Sequence, residues 1–249
     1  MPEGIHVAPS QAEFDDERPG VLLCLRHLSD ASPRTRPGRG AGGTIDRVLL
    51  NTDRLRLRPV QPTDRDLLVA LDADPEVMRF VSGGPATSPE TVAEWIIPRT
   101  QEQQRAHGTG MWLQFTGTGA FAGWVQLRTP RHSSAAELEL SYRLPRTMWG
   151  HGYASEGAAA LVSVMFTTTD TQRIFAGTHV VHGASRRVME RLGMRLAADS
   201  DVTALGHPDA MVEYEILRDQ WAAARGRGTV RVRPARRHSD PGSARPQSA

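Results

Sequence analysis

"TMWGHGYASEGAAALV", residues Thr147 to Val162, sets two glycines among Trp149, His151 and Tyr153 and runs into an alanine-rich segment. The preceding "ELELSYRL", Glu137 to Leu144, alternates polar and apolar residues with the period of a strand. In the following segment, Tyr153, Ala154, Ala158, Leu161, Val162 and Met165 share a helical face. The unit therefore reads as strand, glycine loop, helix. A loop entering a helix presents unpaired main-chain N–H groups at the positive end of the helix dipole, which suits an anion such as a pyrophosphate. Gly150 and Gly152 let such a group approach the main chain; a tight turn that needs glycine for steric reasons alone is the competing explanation. A Walker loop is excluded because it requires a lysine, and all 30 basic residues in the Lys+Arg total are arginine. A dinucleotide fold is disfavoured because the longer glycine fingerprint and its acidic ribose partner are missing.

Working outward, "DRLRLRPV" from Asp53 predicts a strand with Leu55 and Leu57 on one face. A helix with Thr63 as its cap is expected in "PTDRDLLVALDAD", and a second short one in "DPEVMRF". "SPETVAEWIIPRTQEQQ" opens on Ser88 as cap and Pro89 at the first helical position, and Pro98 is expected to kink or end that helix. "GMWLQFTGTGAFAGWVQLRT" predicts a hairpin turning around Gly117 and Gly119. Beyond the central unit, "RIFAGTHV" predicts a strand, "ASRRVMERLG" a helix ended by Gly193, "AMVEYEIL" a last strand and "RDQWAAAR" a final helix.

The 249 residues suit one ordinary domain with a sizeable core. Residues 1–43 include "ASPRTRPGRGAGG", which cannot bury enough apolar surface to offset chain entropy, so they read as a disordered leader. Folded pattern begins near Val48, giving a domain over 44–227 and a disordered, Arg-rich tail over 228–249. The lone Cys24 rules out an internal disulfide framework, and its place in the leader argues against a nucleophile. No stretch is apolar and long enough for a membrane span or a signal-peptide core, so a cytoplasmic protein is expected. The basic balance, a formal net charge of +2, raises nucleic acid as a partner, but much of the excess positive charge lies in the arginine tail, which lacks aromatic interleaving and apolar periodicity and reads as solvated.

"WGHGYASEGAAALV", with "AELELSYRL" before it and "GASRRVMERLGM" after it, closely resembles the GNAT acyl-CoA N-acyltransferases and, within them, the RimJ/RimL-like branch. The likeness covers roughly Leu49 to Arg225. It implies an α/β (α+β) fold: a mixed, mostly antiparallel central sheet flanked by helices and splayed between its fourth and fifth strands. It also implies acetyl-CoA as cosubstrate, with pantetheine in the splay and pyrophosphate on the loop amides. The loop pattern falls on Trp149, Gly150, His151, Gly152, Tyr153 and Ala154, with Ser155 next; Trp149 replaces the general family's Gln or Arg. The branch's N-x-A-S-R-R-V segment falls on His182 to Val188, where histidine replaces asparagine. Met189 stands where many members carry a tyrosine that protonates the departing thiolate.

Acetyl transfer to an amine needs a neutral amine, a polarised carbonyl and a proton for the leaving sulfur. Period two puts Glu137, Glu139, Ser141 and Arg143 on one face of their strand. Glu139 is the candidate base, directly or through water, and a solvated or salt-bridged strand carboxylate is its other reading. Main-chain N–H groups at Tyr142, Arg143 and Leu144 are expected to polarise the carbonyl. Ser185 is a candidate to donate to sulfur or bind the cofactor, against a role as helix cap. His182 is expected on the pantetheine arm, with affinity weakening as pH falls through the histidine range, about 6.5 if unperturbed. Glu156 reads as a helix-start carboxylate and not a base, and His179 with His182 lacks a metal-ligand pattern, so no metal is expected.

Trp95, Trp112, Trp124 and Arg79 lie where the family builds acceptor pockets, and core packing is the competing role. The leading expectation is acetyl transfer from acetyl-CoA to a primary amine, a protein N-terminus or a small molecule, by direct attack in a ternary complex. The alternatives are an acyl-CoA sensor without turnover, suggested by His182 and Met189, and a ribosome- or RNA-associated protein. The expected partners are acetyl-CoA and the amine acceptor, with a homodimer admitted and neither nucleic acid nor membrane.

Overall fold

The computed structural model describes residues 49–130, 136–197 and 210–225. The leader with Cys24, Val48 and the tail from residue 228 lie outside the described residues. Strands β1 (Leu50–Asn51), β2 (Leu55–Pro59), β3 (Gly110–Thr116), β4 (Phe121–Arg128), β5 (Glu137–Arg143), β6 (Arg173–His179), β7 (Arg195–Leu196) and β8 (Met211–Leu217) form one sheet. Their spatial order is β1-β2-β3-β4-β5-β6-β8-β7. Every neighbouring pair is antiparallel except β5 and β6. The two-residue strands β1 and β7 have too little periodicity to be read from sequence. Counting β1, the splay expected after the fourth strand falls after the fifth.

The helices are α1 (Arg65–Asp72), α2 (Pro75–Met78), α3 (Pro89–Thr91), α4 (Ile97–His107), α5 (Tyr153–Thr168), α6 (Gly183–Arg191) and α7 (Arg218–Arg225). Two local expectations are corrected. Before α1 the cap is not Thr63: a 3-10 turn, Pro62–Asp64, intervenes, and the Asp64 carboxylate accepts from the Gln61 N–H at 2.8 Å. Pro98 neither ends nor breaks its helix, because the preceding Val92–Ile96 turn widens to a π-helix in which Ile97 N–H bonds Val92 O. A wider turn tolerates the missing proline N–H and its ring.

Alternation along the strands gives the sheet two apolar faces. Leu57, Trp112, Val125, Leu127, Leu138 and Leu140 pack with Ala158, Leu161, Val162 and Met165 of α5. The opposite face puts Met111, Leu113 and Trp124 against Leu68 and Leu71 of α1, Val92 and Ile97. Each fully buried aliphatic side chain contributes about 1.5–3 kcal/mol. Trp112 is thus core, as one of its two readings held, while Trp124 is both core and cavity wall.

Candidate active site

The parallel pairing of β5 with β6 lasts for three residues, Glu137 with Arg173, Leu138 with Ile174 and Glu139 with Phe175, and then stops. On its other side β5 stays paired with β4 through Arg143 opposite Trp124. Alternate main-chain groups of a strand point to each neighbour, so beyond Glu139 those facing β6 have no strand partner. This opening is the splay, and the main chain of Tyr142 and Arg143 lies along it. Two contacts bridge it. The Tyr142 hydroxyl lies 3.0 Å from both the carbonyl and the Oγ of Ser185 in α6, and the Phe80 ring stacks on His182 at 4.1 Å and 15°.

The glycine loop leaves β5 at the same end. A 3-10 turn, Arg146–Met148, leads to Gly150 and Gly152, both left-handed at φ 76° and 82°, and Gly152 caps α5. The first α5 hydrogen bond runs from Glu156 N–H to Gly152 O. Among the described residues, the main-chain N–H groups of Gly150, His151, Gly152, Tyr153, Ala154 and Ser155 find no acceptor, and the Ser155 hydroxyl is buried without a partner. These groups fit a phosphate-bearing ligand. A Cβ on Gly150 meets nothing within 4 Å and one on Gly152 only Arg54, so the conformation itself, more than crowding by protein atoms, calls for glycine.

The loop is fixed from behind. Arg54 donates to the Glu156 carboxylate through Nε at 2.7 Å and to the His151 carbonyl through Nη1 at 2.9 Å, and Thr52 also donates to Glu156. Burial opposes the Glu156 charge, but the bonds from Thr52 and Arg54 outweigh it and hold the carboxyl below its ordinary range. Glu156 is thus a structural anchor, as its position at the helix start suggested. The half-exposed Trp149 donates from Nε1 to the Leu144 carbonyl at 2.8 Å, tying the loop to the end of β5. His151 bonds the Trp149 carbonyl through Nδ1 at 2.8 Å and stacks on Tyr153.

Ser185 does not cap its helix. The N-cap of α6 is His182, without a side-chain cap bond, and the Ser185 hydroxyl turns to Tyr142. Burial pushes the Tyr142 phenol up to about 12, against the bond from Ser185, so the pair keeps its protons at neutral pH. Met189 is fully buried in the core, which makes its comparison with the family's tyrosine uninformative about the site. Glu139 receives Nε and Nη2 of Arg128, at 3.0 and 2.6 Å, on one oxygen, Oε2. The salt-bridged reading therefore describes its resting state, with Oε1 unpartnered among the described residues.

His182 is pushed down to about 4 by burial, with His179, Arg187 and Arg79 adding repulsion. The ring is therefore neutral near pH 6.5, and any loss of cofactor contact on protonation moves from that range to near pH 4. The unfolded chain, at an ordinary 6.5, takes up this proton first, so stability falls with pH between about 6.5 and about 4. Subtracting the stability–pH curve of His182→Asn from that of the wild type should isolate this slope; superimposable curves would contradict the depressed value.

On the face opposite α5 lies a cavity of about 560 Å³. Met78, Val92, Trp95, Ile96 and Trp124 supply apolar wall, and Gln126, Arg128, Ser141 and Arg143 project from β4 and β5. Sequence reasoning missed Asp72, Arg99 and Arg128 here, because only the packing of α1 and α4 on the sheet carries them to one cavity. Among the described residues no group of three or more His, Cys, Asp or Glu is placed to hold a metal, and no helix is long and apolar enough to cross a membrane.

A sheet opened beside a glycine-loop helix, with a second cavity on the other face of the same strand, defines an acyl-CoA acyltransferase fold. The chain belongs to the GNAT acetyltransferase family, whose domain it matches over residues 54–195, and it is an acyl-CoA-dependent acetyltransferase. It is 30% identical over 185 residues to the FsC-acetyl coenzyme A-N(2)-transacetylase of Aspergillus fumigatus, covering 69% of this chain and 77% of that protein. With the uncharacterized protein YkkB of Bacillus subtilis it shares 31% identity over 147 residues, 58% of this chain and 84% of that one. Its fold is similar to that of the RimL ribosomal alpha-N-protein acetyltransferase solved with coenzyme A, at TM-score 0.58 and 19% identity over 69% of this chain and 99% of that one.

Proposed function

We propose that the protein transfers acetyl from acetyl-CoA to the primary amine of a small molecule by direct attack in a ternary complex. One observation carries this reading: β5 presents unpaired main chain to the splay while its Ser141 and Arg143 side chains line the separate cavity, so two ligands can meet across a single strand. The RimL complex with coenzyme A supports the splay as the cofactor's place, and the A. fumigatus relative, an N(2)-transacetylase, supports an amine acceptor. In this proposal the amides of Gly150 to Ser155 hold the pyrophosphate, with Trp149 shaping the loop. His182 borders the pantetheine arm.

Acetyl-CoA supplies an activated thioester. Main-chain N–H groups near Tyr142, Arg143 and Leu144 stabilise developing negative charge on the thioester oxygen. In this proposal the Ser185 hydroxyl, held by the Tyr142 phenol, donates a hydrogen bond to the departing sulfur, and the proton that completes the thiol is the one the amine gives up. Oε1 of Glu139 takes the amine proton through water, because the amine stands further along β5 than Glu139, while Arg128 holds the carboxylate. A panel of amines incubated with acetyl-CoA, read as thiol release above hydrolysis, tests the reading; release with none of them removes it.

Glu139→Gln is expected to lower kcat about tenfold to a thousandfold at neutral pH and by much less near pH 10, where solvent has already deprotonated the amine. An equal loss at every pH would assign Glu139 to holding Arg128 alone.

A further inference from the structure

Resting on the reading of the cavity as the acceptor site, we propose that the acceptor is a small primary amine carrying a carboxylate several bonds from its nitrogen, and that Arg99 binds that carboxylate. Four ionisable side chains line the cavity: Asp72, Arg99, Arg128 and Arg143. Arg143 is paired with the buried Asp72, and Arg128 with Glu139. Arg99 makes no hydrogen bond or ion pair among the described residues; its guanidinium lies over the Trp95 ring, 5.6 Å from the centroid. Burial first, and then the nearby Arg128, lower its pKa; Glu102, one turn further along α4 and beyond ion-pair distance, raises it without offsetting them. A largely apolar cavity wall carrying a guanidinium with no bonded carboxylate favours an anion and disfavours a second cation.

Strand register sets the length of the ligand. Along β4 and β5, Trp124 lies opposite Arg143, Gln126 opposite Ser141 and Arg128 opposite Glu139. The splay opens beyond Glu139, so the amine must reach the Ser141–Arg143 level. Arg99 belongs to the other end: the carbonyl of its neighbour Thr100 lies 2.9 Å from where a Cβ on Gly110 would sit, and Gly110 pairs with Leu127, beside Arg128. Two to four strand residues separate the levels, roughly 7–13 Å at the usual rise. An α-amino acid, whose amine and carboxylate share one carbon, is too short to satisfy both ends. A chain of methylenes between them suits the apolar wall of Val92, Trp95 and Trp124.

Three acceptors of matched length test this: 6-aminohexanoate, hexylamine and 1,6-diaminohexane, which place a negative, neutral or positive group at the far end. For wild type, Arg99→Gln and Arg99→Glu, each checked for folding by thermal melting, kcat/KM is measured by thiol release and binding by calorimetry with coenzyme A present. Wild type should prefer the carboxylate over hexylamine by about tenfold to a hundredfold, the range of a charge-assisted hydrogen bond, with the diamine poorest. Arg99→Gln should erase that preference and Arg99→Glu should turn it toward the diamine. An unchanged order in both variants, or no preference for the carboxylate in wild type, overturns the proposal. Arg99-dependent binding without thiol release would uphold it and sink the transfer reading instead; equal turnover of all three amines would do the reverse.

Discussion

Gly152→Val is expected to give a folded protein whose affinity for acetyl-CoA is lower by on the order of a hundredfold, the loss of about two charge-assisted hydrogen bonds. Gly152 sits at φ 82°, and a β-branched residue in the left-handed region costs roughly 1–3 kcal/mol. The chain escapes that cost by rotating φ to negative values, which turns the amides of Gly152 and Tyr153 out of the array. The fold survives because the position caps α5 at the surface and an added Cβ meets only the Arg54 side chain, at 3.5 Å. Circular dichroism with calorimetric titration of coenzyme A separates the two effects. Full affinity in a folded variant would remove the loop amides from the binding account.

Gly123→Ala is expected to act on the other side of the site and through the fold. Gly123 lies in β4 at φ 107°, and a Cβ there would stand 2.2 Å from the Arg143 carbonyl oxygen and 2.8 Å from the Leu144 Cα. Both are main-chain atoms, so a strand must shift. Backbone strain and overpacking together amount to about 2–5 kcal/mol, a loss of several degrees in Tm. The strand displaced carries the Tyr142–Leu144 main chain, so kcat should fall even under conditions where the variant remains folded. Thermal melting and steady-state turnover at reduced temperature check the two parts, and an unchanged Tm would show that the close approach of β4 and β5 is not a packing constraint.

The two substitutions flank β5, one in the loop that leaves it and one in the strand beside it. β5 is bound firmly to β4 and released from β6 after three residues. The close contact at Gly123 and the opening beyond Glu139 together leave a rigid edge facing a gap. Preorganised donors on a rigid edge need no rearrangement as charge develops. Tyr142 and Ser185 reach across the gap on one bond network, and Phe80 stacks on His182 across it.

The strand–loop–helix unit, the hairpin, the alternating faces of β5 and the helix-start role of Glu156 were legible in the amino-acid sequence. Each is a local matter of periodicity, glycine placement or charge beside a helix end, and the family resemblance of residues 149–162 added the splayed sheet. What the sequence could not show lies in contacts between distant segments. Ser185 reads locally as a helix cap, yet tertiary packing puts the Tyr142 hydroxyl within reach and the cap goes without a side chain. Met189 reads as a substituted site residue, yet the orientation of α6 buries it in the core. His182 reads as an ordinary histidine, and only the approach of Phe80, His179, Arg187 and Arg79 keeps its ring neutral well into acid. Pro98 reads as a break, and a single π-turn absorbs it. The charges lining the cavity follow the same division: Arg143 and Arg128 gain bonded carboxylates from α1 and β5, while Arg99, indistinguishable from them in sequence, gains no hydrogen bond or ion pair among the described residues. Local order is set by neighbours a few positions apart along the chain, whereas the electrostatics of the site depend on which distant side chains the packed helices bring together.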